Sequence, residues 1–206
     1  MSKTRILLAA VCLLLFLSAG LAFTLRSRLQ VPPRAAFVAE IERPGNELIA
    51  GYRQWTKVNP YPALVSARAA ILCASAIATA GPNDPHGPSN PRVSEENYIT
   101  VYVNDTGRRA MMEEKTPHFP QGSVIVKEKL PNEKSTTPEL LTVMIKRESG
   151  YNPESGDWEY MVVDGSGKTV QARGKLDNCQ GCHVSHADTD YISRAYLPFD
   201  VRDKLK

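Results

Sequence analysis

Apolar and polar positions change their rhythm midway along the chain. In the second half they alternate over short runs rich in β-branched and aromatic residues. Tyr98-Ile99-Thr100-Val101-Tyr102-Val103 is such a run. So are Gly122-Ser123-Val124-Ile125-Val126-Lys127-Glu128, residues 140–146 and residues 158–163. Each reads as a strand. Asp164-Gly165-Ser166-Gly167 is a turn that leads into a further strand over residues 169–172. Short strands in series, joined by turn residues, predict an antiparallel sheet. Residues 108–115, between the first two strands, read as a short helix.

The first half follows a helical period. Leu48, Ile49, Tyr52 and Trp55 fall on one face, with Asn46 placed to cap them. Asn59-Pro60-Tyr61-Pro62 ends that pattern. An Ala-rich stretch over residues 63–80 reads as a second helix, and the Pro- and Gly-rich residues 81–91 as a loop holding a solvated His86. The expected class is α+β: mainly an antiparallel β-sheet with packed helices, the N-terminal helices preceding the sheet.

The extreme N-terminus is different again. Lys3 and Arg5 precede an uncharged run from Ile6 to Leu25, and Arg26 and Arg28 follow it. A basic start and an apolar run of this length form an export signal, and the run is also long enough to span a bilayer. Two readings of residues 1–28 stay open, a cleaved signal peptide and a retained inner-membrane anchor. Both place the remainder outside the cytoplasm, in the periplasm or an equivalent exported location. Residues 29–46 suit a linker, and residues 47–206 form the folded domain. The net charge of +3 on 206 residues, spread without a basic patch, gives no reason to expect nucleic acid as a partner.

Chemistry concentrates at Cys179-Gln180-Gly181-Cys182-His183. Cys and His each number only 4 in the chain, so their meeting within five residues is informative. Cys12 lies inside the apolar run and reads as inert; Cys73 lies inside the Ala-rich stretch and reads as a small packed hydrophobe. Three explanations compete. Structural zinc wants four ligands, and His186 and Cys73 would have to complete the set. A thioredoxin-like redox pair wants the motif early in a βαβ unit, whereas here it follows a β-rich region. Covalent haem c fits best: Cys179 and Cys182 form thioethers with the porphyrin, and His183 ligates the iron from beneath. The opposite iron face then decides function. Met111, Met112, Met144, Met161, His86, His118 and His186 are the available sixth ligands, and none stands in a signature context. The expectation is therefore a five-coordinate iron. Arg147, Arg173 and Arg194 are candidates to pair with haem propionates, and Tyr191 and Tyr196 to pack on the haem edge.

The run Thr100-Val101-Tyr102-Val103, the block from Phe119 to Glu128, Asn152-Pro153, Gly156-Asp157-Trp158, the Cys-Cys-His motif and Thr189-Asp190-Tyr191 together resemble the cytochrome P-460 family, which also contains the c′-beta cytochromes. The similarity spans about residues 95–200, in order. It implies an exported haem c protein built on an antiparallel sheet, often a homodimer, with a redox partner protein and a small-molecule ligand or substrate. It also implies a lysine bonded to the porphyrin edge in the hydroxylamine-oxidising branch, a place taken here by Lys127. That branch uses a distal proton-accepting carboxylate, whose place falls to Thr142. The gas-binding branch uses an apolar distal pocket, for which Phe119, Val143 and Met144 are candidates. The leading expectation is a protein that binds or oxidises a small nitrogen species, such as hydroxylamine or nitric oxide, at a five-coordinate iron. Plain gas binding and electron transfer with a Met or His sixth ligand are the alternatives.

Overall fold

The computed structural model describes residues 44–65 and 97–206. The expected export signal, Cys12, Cys73, His86, most of the expected linker and most of the Ala-rich stretch lie outside the described residues. Five strands form the body of one antiparallel sheet: β3 (Asn97–Val103), β4 (Val124–Leu130), β5 (Leu140–Lys146), β6 (Trp158–Asp164) and β7 (Val170–Gly174). Two short strands, β1 (Thr56–Lys57) and β2 (Ala63–Val65), pair with β3 at the sheet edge. Every neighbouring pair is antiparallel, as the alternation predicts.

Helices are short and few among the described residues. They are α1 (Gly45–Leu48), α2 (Asp105–Met112), α3 (Asp177–His183) and α4 (Phe199–Lys204), with single 3-10 turns between elements. Helix α2 starts three residues before its expected position. Asn104 caps it: its side-chain oxygen accepts from the Gly107 amide at 3.1 Å and from the Val124 amide at 3.0 Å. Gly107 seats the helix on the sheet, since a Cβ there would lie 2.9 Å from Val103 Cγ2.

Two expectations in the first half need correction. Asn46 is not a cap; α1 starts behind Pro44 without a side-chain capping bond and runs for four residues only. The Ala-rich stretch does not begin as a helix, because Ala63–Val65 is strand β2 paired with Tyr98 and its neighbours. Intrinsic propensity is a weak prior, and an open sheet edge overrides it. Asn59 sets that edge. Its side chain donates to the carbonyl of Ile99 at 2.9 Å and accepts from the amide of Val101 at 2.8 Å.

The sheet buries both faces. On one, Val124, Val126, Leu141, Val143, Ile145, Met161 and Val163 pack with Leu48 and Ile49. On the other, Ile99, Val101, Val103, Ile125, Met144 and Tyr160 pack with Met111 of α2 and with Ile192 and Leu197 of the C-terminal segment. Successive residues of a strand point to opposite faces, so this division follows from sequence parity. The second face carries the site.

Candidate functional site

Strands β4 and β5 are buried almost throughout. Their central exceptions are Lys127 and Thr142, both half-buried. The two are direct partners across the strand pair. One register step away, Ile125, Met144 and Tyr160 form a second row on the same face. These two rows floor an open cleft of about 1070 Å³, part of it continuous with solvent.

The opposite wall comes from the C-terminal segment. Cys179, Cys182 and His183 of α3 all line this cleft, together with His186, Ile192 and Tyr196. Two cysteines three apart lie on one side of a helical turn, and the histidine follows at once. The fold thus brings Lys127, Cys179, Cys182 and His183 to one cavity, although the lysine lies more than fifty positions earlier in the chain. Lys127 also stands near enough to His183 for its charge to act on the imidazole. Glu128, its neighbour in sequence, points to the other face, where Tyr52 Oη donates to it at 2.6 Å and Arg53 Nε at 2.8 Å.

His183 is held in one tautomer. Its Nδ1 lies 2.7 Å from the backbone carbonyl oxygen of Tyr191. A carbonyl only accepts, so Nδ1 carries the proton and Nε2 keeps its lone pair. Burial first, and then the nearby charges of Lys127 and His186, lower the His183 pKa from 6.5 to about 4 against the opposing pull of the Tyr191 carbonyl. The ring is therefore neutral near neutrality, which is the form that ligates a metal. Tyr160 packs beside it, with ring centroids 5.6 Å apart. Its hydroxyl bonds Ser155 Oγ at 2.7 Å, and burial pushes its pKa up to about 12.

The donor set fits a haem. Two thiols, a neutral imidazole with Nε2 available, an apolar floor and a wide mouth share one cleft. The zinc reading does not gain ligands: no group of three His, Cys, Asp or Glu side chains placed to hold a metal ion occurs among the described residues.

Several expected site residues fall elsewhere. Phe119 is in the core, edge-on to Trp158 at 5.4 Å, and does not line the cleft. Val143 belongs to the packed core of the other face and only borders the cleft, while Met144 reaches into it. Arg147 and Arg173 both bind Glu159, at 2.9 and 2.8 Å. Arg194 donates to the carbonyls of Ala110, Met111 and Glu114 at the end of α2. These guanidiniums stabilise the protein's own acceptors. Tyr196 does line the cleft, whereas Tyr191 packs its ring against Gly156 and turns its carbonyl to His183. Of the sixth-ligand candidates, Met111, Met144, Met161 and His186 border the cleft, and His118 is exposed with its ring on the Thr116 carbonyl. Met112 is absent from the lining. Among the described residues, no Asp or Glu lines the cleft. Glu148 pairs with Arg147, and Asp157 accepts from the amides of Gly150 and Asn152. Tyr160 was not legible as a site residue; its only signal is its parity with Trp158 along β6.

A family model described as Cytochrome P460 matches residues 49–193, more than half of the chain. No curated protein matches the sequence.

Proposed function

The chain belongs to the cytochrome P460 family, whose cofactor is haem iron, and from that premise we propose that it is an exported c-type haem protein whose cleft binds a small, uncharged nitrogen species such as nitric oxide. One observation carries this reading. Both thiols, the Nε2 side of His183 and Lys127 meet in a single apolar cleft that no carboxylate enters among the described residues.

Haem iron, when bound, supplies an open coordination position and a one-electron couple. The chain's residues do the rest. Cys179 and Cys182 would tether the ring through thioethers. His183 would offer Nε2 to the iron, its tautomer fixed by the Tyr191 carbonyl. Ile125, Met144 and Val101 keep the floor apolar. Lys127, in the same cleft, would bring its cation to a bound ring, and in the hydroxylamine-oxidising branch the resemblance implies a covalent bond from this lysine. Thr142, the partner of Lys127 across the strands, falls where the resemblance puts that branch's proton acceptor. A hydroxyl does not take a proton at neutral pH, and general-base help contributes roughly 10²–10⁴-fold. Ligand binding is thus favoured over hydroxylamine oxidation.

The test is a spectrum of the purified ferrous protein with and without nitric oxide, followed by hydroxylamine turnover with an artificial acceptor. The expected result is pigment that resists acid–acetone, a five-coordinate ferrous spectrum that responds to the gas, and negligible turnover. Extractable pigment refutes the covalent attachment, and sustained turnover refutes the binding role. A second reading, electron transfer, is favoured by the thioethers of Met111 and Met144 in the cleft; it requires a six-coordinate ferrous spectrum that is indifferent to the gas. Export to the periplasm, by signal or anchor, and docking of a redox partner belong to the same proposal.

A further inference from the structure

The turn that carries the Tyr191 carbonyl is unusual. Asp190 and Tyr191 both have positive φ, at 53° and 64°. Asp visits this left-handed region at modest cost, but a bulky tyrosine there is an outlier. Such a conformation persists only where surrounding contacts over-determine it. Here they converge on Asp190. Lys146 Nζ donates to both carboxylate oxygens at 2.7 Å. The Phe119 amide donates to Oδ2 at 2.8 Å, and Trp158 Nε1 donates to the Asp190 carbonyl at 2.8 Å. The Asp190 and Lys146 side chains are only 12% and 14% exposed, so solvent screens them little. Gly156 completes the seat: a Cβ at that position would lie 2.5 Å from the Tyr191 ring.

We infer that Asp190 is a positioning residue: anchored by Lys146, Trp158 and the Phe119 amide, it holds the Tyr191 carbonyl on His183 Nδ1 and thereby sets the direction and donor strength of Nε2 toward the haem iron. The inference rests on the haem reading above. The carbonyl at 2.7 Å draws the Nδ1 proton and enriches Nε2. A richer donor favours the ferric state and strengthens the iron–histidine bond. Loosening the turn does the reverse. None of the residues that anchor Asp190 lines the cleft, so the direct route from them to the metal runs through the Tyr191 carbonyl and the imidazole.

The test measures the iron–histidine stretching band and the midpoint potential of the ferrous holoprotein in three variants. Asp190→Ala removes the carboxylate and the tolerance for positive φ; the band should fall in frequency and the potential rise. Asp190→Asn keeps the shape, the left-handed tolerance and an acceptor for the Phe119 amide, so it should sit between Ala and the parent. Lys146→Met should shift both readouts in the same direction as Ala, by less. A merely structural role would lower stability without moving either readout in protein that retains haem. Asp190→Ala holding haem with unmoved band and potential overturns the inference. If that variant does not accumulate, unmoved values in both Asp190→Asn and Lys146→Met overturn it equally. A parent whose pigment is extracted by acid–acetone fails the haem reading instead, and the inference falls with it.

Discussion

Glu159 sits between two arginines on the face away from the cleft, and its replacement by glutamine offers a quantitative test of the packing. Arg147 Nη1 donates to Oε2 at 2.9 Å, and Arg173 donates Nε to Oε1 at 2.8 Å and Nη2 to Oε2 at 3.1 Å. The Glu159 side chain is 7% exposed, Arg147 11% and Arg173 25%. Glutamine keeps the volume but turns one acceptor into a donor. One guanidinium then faces an N–H group, and two like charges lose the anion between them. Hydrogen bonds to charged groups are worth about 1.5–3 kcal/mol each, and breaking a buried ion pair costs about 3–5 kcal/mol. Water reaches Arg173, which trims the figure to about 2–4 kcal/mol. At ~2–4 °C per kcal/mol for a chain of this size, Tm should fall by about 4–16 °C. Urea unfolding of holoprotein, with the slope monitored, gives the free energy directly. The exposed pair Arg108–Glu113, at 49% and 50% exposure, is the internal control; Glu113→Gln should cost under about 1 kcal/mol. A loss below about 1 kcal/mol for Glu159→Gln, or equal losses at both sites, refutes the reasoning.

Three other outcomes are expected. Lys127→Met should leave the haem attached through Cys179 and Cys182 but abolish any red-shifted band due to a lysine–porphyrin bond; an unchanged red-shifted spectrum rules that bond out. Thr142→Glu places a carboxylate beside Lys127 in the cleft and should raise hydroxylamine oxidation by roughly 10²-fold, read as initial rate with an artificial acceptor; no gain over the parent counts against the assignment of Thr142 to the proton-accepting position. In haem-free protein, the His183 pKa of about 4 lies below the unfolded value of 6.5, so the unfolded chain binds a proton that the folded one does not. Stability is then full above pH 6.5 and declines by up to ~3 kcal/mol toward pH 4; a His183→Leu protein with the same urea-midpoint profile disproves this.

What the sequence made legible was local. Alternation and turn residues identified β3 to β7 within two residues, because a strand with buried faces must obey parity. The Cys-Cys-His cluster was legible because its members are adjacent, and Lys127 because parity put it with Ile125. What stayed hidden depended on distant partners. Ala63–Val65 became a strand because β3 offered an open edge. Phe119 looked like a pocket aromatic, yet Trp158 claims it. Arg147 and Arg173 looked available until Glu159, twelve and fourteen positions away, was seen between them. The role of Tyr191 lies in its main chain, which residue type does not encode.

Strand β4 places a lysine and a glutamate back to back, Lys127 toward the cleft and Glu128 under Tyr52 and Arg53. A slip of one position between β4 and its neighbours would exchange them. The cavity would turn acidic, and an ammonium group would be driven against Arg53. The tyrosine–arginine clasp on Glu128 thus polices alignment, making the cleft's polarity a property of strand registry as much as of composition. One inserted or deleted residue inside β4 would rewrite the chemistry more thoroughly than any point substitution within the cavity.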